Sequence, residues 1–465
     1  MNDLDSPENT GLPNEEGGDG PRSDALVVFG LNGDLGEKKL YPALVELAAA
    51  GRLDVPVVGV GRRDVAGSEL LDGLRSGAES AGVDDAENMQ LDDIDLRYVA
   101  GDVDDPSTFT AIADELAGCD RPTVYAALPP DLMGAVATGV HRHLPESTRL
   151  VVEKPFGDSA EGARRLHDEI VGEIGEGRLF IVDHFLAKSA VENLLTVRTS
   201  NRLFDTMLRA EHVDSIEVEM LETGDADGRG SFYESVGAIA DVVQNHLLQI
   251  LALLTMEAPA DRTVGAYHAA RSTLLGHIAP VDNAEVVLGQ YSSYRSHEGV
   301  ADDSSIETYV DLVTSIDTDR WRGVPIRIRT GKAVEVDSTR ATVCLREAGA
   351  PGSSPATAIR FVVKPESRLE VDIAVLDPHG EGLVTRTAVV CGPEQHPELS
   401  EYAVMFDDVM NGDGRRFASF DDVVAGWAVV DGIERGNVLT YEPGSRGPTA
   451  TAEGPWKRGG DQSTS

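Results

Sequence analysis

One histidine of the chain lies inside an apolar stretch. His246 belongs to the segment Asp241–Leu254, which contains neither Gly nor Pro and whose spacing predicts a largely buried helix. On a helical wheel of 3.6 residues per turn, Asp241 falls on the polar arc and His246 on the apolar arc. A buried imidazole is either a core histidine with a partner or a general base in a cleft. Taken alone, the core interpretation is the more common one.

Charged residues that follow apolar runs could turn this histidine into a base. The candidates are Lys154, Asp183, His184, Lys188 and Lys332. A carboxylate orients a histidine base and stabilises its cationic form, and cationic side chains bind a phosphate. Each candidate also has a structural alternative, such as a helix N-cap for Asp183, an exposed loop position for His184 or a turn for Lys332.

The first predicted turn between a strand and a helix is rich in glycine. The apolar run Ala25–Gly30 predicts a buried strand, and a helix follows to about Ala50, with glycines at positions 30, 33 and 36 between them. Such glycines let the backbone approach a pyrophosphate at the helix N-terminus, although the spacing is not the standard G-x-G-x-x-G. A dinucleotide here and the charged candidates together predict a dehydrogenase for a phosphorylated hydroxyl compound.

The end of the second predicted strand bears on coenzyme choice. The run Val55–Gly61 is followed by Arg62, Arg63 and Asp64. An arginine at this position suits the 2′-phosphate of NADP, whereas an acidic residue binds the ribose hydroxyls of NAD. Arg62 therefore favours NADP, and the nearby Asp64 leaves NAD possible.

Strands and helices alternate in the first half of the chain. Further strands are predicted at Leu96–Ala100, Thr123–Ala127, Arg149–Val152 and Leu179–Val182, with helices near Pro106–Leu116, Leu132–Leu144 and Ser159–Ile174. This series is typical of a parallel, doubly wound sheet, in which ligands bind beyond the carboxyl ends of the strands.

The second half changes to runs of strands. A helix at Ala190–Thr199 and a strand at Asp214–Glu222 precede the His246 helix, and two helices near Glu401–Met410 and Phe420–Asp431 close the pattern. Between them strands are predicted at Glu285–Tyr291, Ile306–Ile316, Ile326–Arg329, Ala341–Leu345, Ala358–Val363, Leu369–Ala374 and Leu383–Thr387. Strands without intervening helices favour a largely antiparallel sheet.

The composition indicates an acidic globular protein. The 465 residues are 41% hydrophobic and carry a net charge of −40, with 80 acidic against 40 basic side chains spread along the chain. Such a charge argues against nucleic acid or anionic membranes as partners and predicts a solvated acidic surface of the halophilic type. Any phosphate site must be built locally from cations and helix N-termini.

The N-terminal segment favours a cytoplasmic protein. Met1–Asp24 is acidic and rich in Gly and Pro, without the basic and apolar regions of a signal peptide, and no apolar run of about 20 residues predicts a membrane span. The cysteines at 119, 344 and 391 are far apart, so neither a disulfide nor a metal site is expected.

A set of longer motifs is similar to one known family. These motifs are Gly30–Leu35, Lys38–Pro42, Val152–Gly157, Asp183–Lys188, Asn193–Leu195, Asp241–Gln249, Val287–Tyr291, Glu307–Tyr309, Trp321–Pro325, Arg329–Lys332, Asp408–Asp413 and Gly444–Pro448. In this order, over about residues 25 to 448, the chain closely resembles the glucose-6-phosphate dehydrogenase family.

The resemblance implies a reaction and a set of roles. The reaction is oxidation of D-glucose 6-phosphate to 6-phospho-D-glucono-1,5-lactone, with hydride transfer to NADP+. His246 matches the general base for the C1 hydroxyl, and Asp183 matches its carboxylate partner. The matched substrate-binding positions are Lys154, His184, Lys188, Glu222, Asp241 and Lys332. The matched coenzyme positions are Gly30, Gly33, Asp34, Leu35, Lys39, Arg62 and Lys154.

The resemblance also implies the architecture: an α/β Rossmann-like coenzyme domain plus an α+β C-terminal domain with a large, mostly antiparallel sheet. The expected divisions are a disordered acidic tail at 1–24, the coenzyme domain at 25–183, the substrate and dimerisation domain at 184–448, and a disordered tail at 449–465. The family's sheet forms a dimer interface, so a homodimer or homotetramer is expected.

Some positions depart from the family pattern. Phe185 lacks a hydroxyl that would contact the substrate phosphate, and such a bond to a charged group is worth ~1.5–3 kcal/mol. The loop after Lys332 is acidic through Asp337 until Arg340, which is therefore a candidate replacement for a missing basic residue. Ala240 replaces a frequent arginine before the helix, and Glu37 replaces a lysine near the coenzyme.

Other functions stay open at this point. The chain could be a dehydrogenase of a related sugar or sugar phosphate, or a non-catalytic dinucleotide-binding paralogue that has lost phosphate affinity. A broader class of sugar oxidoreductases shares the Glu-Lys-Pro motif after a Rossmann strand, but it does not account for the match in the second half. Against a non-catalytic paralogue, the base, its carboxylate and the main lysines are all present.

Overall fold

A computed structural model describes residues 21–82, 94–348, 354–377, 382–391 and 399–449. The predicted tails lie outside these ranges except for residues 21–24 and 449. Residues 22–24, expected to belong to the first tail, are instead packed on the protein. The Ser23 side chain is 3% exposed, its N–H donates to Met410 O at 2.7 Å, and the Asp24 carboxylate accepts the backbone N–H groups of Asp120 and Arg121.

The first sheet is wholly parallel and has the order β3-β2-β1-β4-β5-β6. Its strands are β1 (Ala25–Phe29), β2 (Val57–Gly61), β3 (Leu96–Ala100), β4 (Pro122–Ala126), β5 (Arg149–Val152) and β6 (Leu179–Ile181). The helices between them are α1 (Tyr41–Ala49), α2 (Gly67–Ala81), α3 (Pro106–Glu115), α4 (Met133–His143) and α5 (Ala160–Ile174). The strand order reverses beside β1, which is where doubly wound sheets bind their ligands.

Helix α2 had no predicted counterpart because its sequence is interrupted by glycines. Gly73 and Gly77 face α1, and a Cβ at either position would lie within 2.8 Å of Tyr41 atoms. The glycines therefore serve close packing of the two helices, and a propensity argument counts them only as helix breakers.

The second sheet has nine strands in the order β14-β13-β12-β11-β7-β10-β9-β8-β15. They are β7 (Val213–Leu221), β8 (Val286–Tyr291), β9 (Tyr309–Ser315), β10 (Pro325–Gly331), β11 (Ser338–Leu345), β12 (Thr357–Lys364), β13 (Arg368–Leu376), β14 (Leu383–Cys391) and β15 (Leu439–Tyr441). Among the strand pairs formed by the described residues, only β7–β10 and β8–β15 are parallel, which confirms the predicted mostly antiparallel sheet.

Helices cover this sheet and connect it to the first domain. They are α6 (Ser189–Ser200), α7 (Arg202–Met207), α8 (Gly230–Ala238), α9 (Leu248–Thr255), α10 (Val264–Leu275), α11 (Glu401–Met410) and α12 (Phe420–Val430), with a π-helix at Ile239–Leu247 before α9. Helix α11 returns to the coenzyme domain, where Phe406 packs edge-on against Tyr125 at 5.0 Å and joins the core of β1 and α1.

The stretch Gly230–Thr255 forms the central helical segment. By length and apolar composition it could cross a membrane, yet its most apolar part is completely buried within the protein. It therefore has the character of a core helix. The segment is kinked at Gly237, whose φ of 70° lies in the left-handed region.

Candidate active site

His246 and Asp183 form a buried pair at the junction of the two sheets. Nδ1 of His246 is 2.6 Å from Oδ1 of Asp183, and each side chain is 2% exposed. The same Asp183 oxygen accepts the N–H of Phe185 at 3.0 Å, which fixes the carboxylate. Nε2 of His246 is buried and has no hydrogen-bond partner among the described residues. The imidazole is thus fixed by a hydrogen bond at Nδ1, and its Nε2 remains unpaired.

The charges of this pair follow from its surroundings. Burial lowers the pKa of His246, and Asp183 offsets this only in part. For Asp183 burial acts to raise the pKa, but His246, Lys154 and the Phe185 N–H outweigh it, so the pKa is lowered. The favoured state is a carboxylate beside a neutral imidazole whose proton lies on Nδ1 and is donated to Asp183. The Nε2 lone pair is then available to accept a proton.

The helix that carries His246 is a π-helix over Ile239–Leu247. Its backbone bonds join residues five apart, so residues five apart return to the same side of the helix. Asp241 and His246 have this spacing, whereas a wheel of 3.6 residues per turn places them on different arcs. The α-helical wheel is therefore the wrong description of this segment, and both side chains can serve one site.

Two residues, Asn245 and Glu307, hold this unusual helix through three hydrogen bonds. The Asn245 side-chain amide donates to Ala240 O at 2.9 Å, five residues back. At the start, Glu307 accepts the N–H of Ile239 on its carboxylate at 3.1 Å and the N–H of Ala238 on its carbonyl at 3.0 Å. No sequence signal assigned a role to Glu307 beyond its place in a familial motif.

Lys154 joins the two domains at the site. Its Nζ donates to Oδ1 of Asp241 at 3.0 Å and to the Asp241 carbonyl at 2.7 Å. Burial acts to raise the pKa of Asp241, but Lys154 and Lys332 outweigh it and bring the pKa to about 2. Asp241 is therefore a carboxylate that can accept hydroxyl hydrogen bonds.

Lys332 and Glu222 form a second ion pair beside Asp241. Each directly follows a strand, β10 and β7, and these strands are parallel neighbours with Gly331 opposite Leu221. Register therefore brings the two side chains together, with Lys332 Nζ 2.7 Å from Glu222 Oε2. Sequence spacing could not reveal this pair, because the parallel pairing of β7 and β10 was not predicted.

The residues after Asp183 surround the imidazole. The Phe185 ring stacks on His246 with centroids 4.3 Å apart, and His184 packs edge-on against it at 4.6 Å. Burial holds the pKa of His184 well below its ordinary value, so this ring is neutral. Lys188 lies 3.3 Å from Glu401 of α11, and Lys39 lies 3.5 Å from the same carboxylate. Glu401 was missed because nothing in its local sequence distinguishes it from an exposed helix residue.

The glycine-rich turn after β1 is built for a close backbone approach. Gly30 has a φ of 76°, and a Cβ there would lie 2.5 Å from Ala127 O. A Cβ on Gly36, where the following π-turn Gly36–Leu40 begins, would collide with Leu31 O. Gly33 and Asp34 are exposed, and Leu35 is half-buried. A larger residue at 30 or 36 would collide with the protein's own backbone, so both glycines are needed for the tight turn, and a tight glycine-rich turn of this kind lies against the pyrophosphate in dinucleotide-binding domains.

Arg62 is exposed directly after β2, beyond the carboxyl end of that strand. This is the edge where a ribose bound at the first turn would extend. The neighbouring Arg63 is instead paired with Glu69 at 2.9 Å. The two arginines are therefore not equivalent, and Arg62 is the one available to a ligand.

Arg340, the candidate replacement for a missing phosphate cation, is paired with a carboxylate of the second sheet. Its Nε is 2.7 Å from Oε1 of the buried Glu219 on the neighbouring strand, so this side chain already has a partner. Asp337 also has a partner, since it accepts the backbone N–H of Thr223 at 3.1 Å and the Thr223 hydroxyl.

Across the described ranges, no group of three or more His, Cys, Asp and Glu side chains could hold a metal ion.

Fold and site together define the class of this protein, a dehydrogenase with a Rossmann-type domain and a second, sheet-rich domain that completes the site. Models of two domains match the chain: "Glucose-6-phosphate dehydrogenase, NAD binding domain" over residues 27–193 and "Glucose-6-phosphate dehydrogenase, C-terminal domain" over residues 195–461. The chain belongs to the glucose-6-phosphate dehydrogenase family, which confirms the resemblance seen in the sequence.

Individual relatives agree with this assignment. The chain is 34% identical to glucose-6-phosphate 1-dehydrogenase 1 of Mycobacterium tuberculosis over 449 residues, 93% of this chain and 95% of that protein. Glucose-6-phosphate 1-dehydrogenase from Mycobacterium avium has a similar crystal structure, with a TM-score of 0.84, 32% identity and coverage of 92% of this chain and 96% of that one. A glucose-6-phosphate dehydrogenase solved in complex with its substrate glucose-6-phosphate is also similar, with a TM-score of 0.81 and 26% identity. The match covers 92% of this chain and 97% of that one.

Proposed function

We propose that this protein oxidises D-glucose 6-phosphate to 6-phospho-D-glucono-1,5-lactone and that the hydride goes to NADP+. The observation that carries the proposal is the His246–Asp183 pair, in which the buried Nε2 of His246 has no hydrogen-bond partner among the described residues. As the C1–H bond breaks with loss of hydride, Nε2 takes the proton of the C1 hydroxyl and a C1=O bond forms. Asp183 stabilises the resulting imidazolium.

The remaining polar groups around His246 suit a sugar. Asp241 and Glu222 offer carboxylate oxygens to hydroxyl donors. Lys154 and Lys332 keep Asp241 charged, and both lysines can donate hydrogen bonds in turn. Lys188, with His184 beside it, is assigned to the phosphate end. Placing charged groups in pairs lets the site be buried without leaving an isolated charge.

The coenzyme residues are proposed on the geometry of the first turn. Gly30, Gly33, Asp34 and Leu35 would hold the pyrophosphate through backbone groups, with Lys39 adding positive charge. Arg62 would bind the 2′-phosphate that distinguishes NADP from NAD. When bound, the nicotinamide supplies the hydride acceptor. Lys154, between the coenzyme edge and Asp241, would align the two ligands.

One assay tests the function. Purified protein in molar salt is supplied with glucose 6-phosphate or glucose, each with NAD+ or NADP+, and reduction is followed by absorbance. We expect NADP+ reduction that requires the phosphate, and His246→Ala should lower kcat/KM by about 10²- to 10⁴-fold. The exposed His141 provides a matched control, since His141→Ala should leave the rate unchanged. Equal rates on free glucose would exclude the sugar phosphate, and an active His246→Ala variant would exclude the base.

We further propose a cytoplasmic homodimer or homotetramer, in which 25–183 and 184–448 act as the coenzyme and substrate domains and the second sheet forms the subunit interface. In support, β13 and β14 at the sheet edge expose large apolar side chains, including Leu376 at 77% and Val389 at 59%. Exposed apolar patches of this kind are typical of interaction surfaces. Sedimentation of a single-chain species across working concentrations would contradict the proposal.

A further inference from the structure

The phosphate end of the proposed site is short of positive charge. Lys188 is the cation assigned to it, but Glu401 lies 3.3 Å away and neutralises part of its charge. His184 is held neutral by burial, which keeps its pKa low, and Phe185 has no polar group. A phosphomonoester carries close to two negative charges at neutral pH, so the site needs a further cation.

The small number of lysines in the chain makes it possible to search for this further cation residue by residue. The lysines are Lys38, Lys39, Lys154, Lys188, Lys332, Lys364 and Lys457. In a chain with a net charge of −40 lysine is rare, and most of these positions already belong to the proposed site or adjoin it. Lys457 lies outside the described residues. Lys38 and Lys364 are the described lysines without an assigned role, and of these two Lys364 lines a cavity together with Lys188.

The position of Lys364 is fixed by strand pairing. It ends β12 and is paired with Thr339 of β11, so it stands opposite the acidic loop that follows Lys332. Arg340, which follows this loop within β11, is already paired with Glu219. The side chain of Lys364 is exposed and forms no ion pair with a described residue. Asp337 is the carboxylate in its vicinity, but that group already accepts the N–H and the hydroxyl of Thr223, so the ammonium of Lys364 is available to an external anion.

Lys364 and Lys188 line the same cavity, which has a volume of about 460 Å³. The other charged groups around it are Glu192, Glu401 and Arg416. Arg416 is already engaged by Asp408 at 2.9 Å and by Glu192 at 2.9 Å. Burial lowers the pKa of Lys188, and Lys364 contributes to the lowering as a nearby like charge. An anion between the two lysines would relieve this repulsion.

We infer that Lys364 is the second phosphate-binding cation of the site and acts with Lys188 on the phosphomonoester group of the substrate. The inference rests on the proposed function. It assigns to β12 a specificity residue that replaces both the hydroxyl missing at Phe185 and the basic residue missing after Lys332. Ser367, which lines the same cavity, offers a hydroxyl to the same group.

Substitution of Lys364 tests the inference. Lys364→Ala and Lys364→Gln should each raise the KM for glucose 6-phosphate by about tenfold or more, as expected for loss of a charge-assisted hydrogen bond. The inhibition constant of inorganic phosphate should rise by a similar factor. Lys364→Arg should stay within about threefold of wild type. Arg165→Ala removes one positive charge from the exposed face of α5 and should change neither constant.

Two results would overturn the inference. One is an unchanged KM and phosphate inhibition constant in both neutral variants at Lys364. The other is an equal shift in Arg165→Ala, which would assign the effect to the general field of the protein. If the wild type does not oxidise glucose 6-phosphate, the proposed function fails separately. In that case the rise in Tm caused by inorganic phosphate, present in wild type and lost in Lys364→Ala, still tests the cation site.

Discussion

Asp183→Asn is the sharpest test of how the site works. Both contacts of the carboxylate, to Nδ1 of His246 and to the N–H of Phe185, use the same oxygen, Oδ1. The amide oxygen of an asparagine can occupy that position, so the local fold should survive. What is lost is the negative charge beside the imidazole. The substitution therefore removes stabilisation of the imidazolium without removing the base.

The magnitude follows from the nature of the bond. A buried hydrogen bond to a charged group is worth ~1.5–3 kcal/mol, and each 1.36 kcal/mol is about a tenfold change in rate. The kcat/KM should therefore fall by about 10- to 150-fold. If the amide nitrogen turns towards Nδ1 instead, the imidazole proton moves to Nε2 and the loss becomes larger, because the base is then blocked.

The pH dependence of kcat/KM should shift in a defined direction in Asp183→Asn. Burial lowers the pKa of His246, and Asp183 acts in the opposite direction. Removing the charge of Asp183 lowers this pKa further. Because the base must be unprotonated, activity is lost as the pH falls through this pKa, so the acid limb of kcat/KM should move to lower pH in Asp183→Asn while the plateau drops.

The measurement is kcat/KM for glucose 6-phosphate from acid to neutral pH with NADP+ in excess. Asp168→Asn makes the same chemical change at a side chain that is 84% exposed and serves as the control. The proposed division of roles between the two residues would be refuted if the plateau of kcat/KM in Asp183→Asn equalled that of the wild type, or if its acid limb moved to higher pH.

Three further predictions follow from separate parts of the structure. Arg62→Ala should raise the KM for NADP+ by about tenfold or more and leave that for NAD+ nearly unchanged; equal effects in steady-state kinetics would reject the 2′-phosphate role. Gly30→Ala should lower Tm and weaken coenzyme binding, because a clash with Ala127 O is added to backbone strain of about 1–2 kcal/mol. Gly51 is the control: its φ is 66° and the space around it is open, so Gly51→Ala should show the effect of backbone strain alone. Transfer from molar salt to about 0.1 M should lower Tm because the net charge of −40 is less screened; an unchanged Tm and activity would reject the halophilic interpretation.

The first domain was predictable from sequence because its elements obey local rules. Buried apolar runs such as Ala25–Phe29 alternate with amphipathic helices, and the glycine-rich turn marks the first crossover. The strands observed there differ from the predicted ones by a few residues at most. Helix α2 was missed since its glycines serve contacts with Tyr41 rather than local conformation.

The geometry of the site was less predictable because it depends on non-local contacts. The π-helix is held by Glu307, which is 68 positions from Ile239 in the chain. A largely apolar sequence pattern does not distinguish a helical period of about 3.6 residues from a longer one. The Lys332–Glu222 pair depends on the parallel register of β10 with β7. The residue types needed for chemistry were visible in the sequence, whereas the partners that orient them were not.

The return of α11 to the coenzyme domain has a consequence for how the protein is made. Arg22 and Asp407 form an ion pair of 3.3 Å although they are 385 positions apart in the chain, and Phe406 covers the apolar surface beside Tyr125. During synthesis the N-terminal domain leaves the ribosome long before its covering helix exists. A fragment that ends near residue 183 would expose that surface, so a stable excised coenzyme domain requires α11 to be supplied as a second piece.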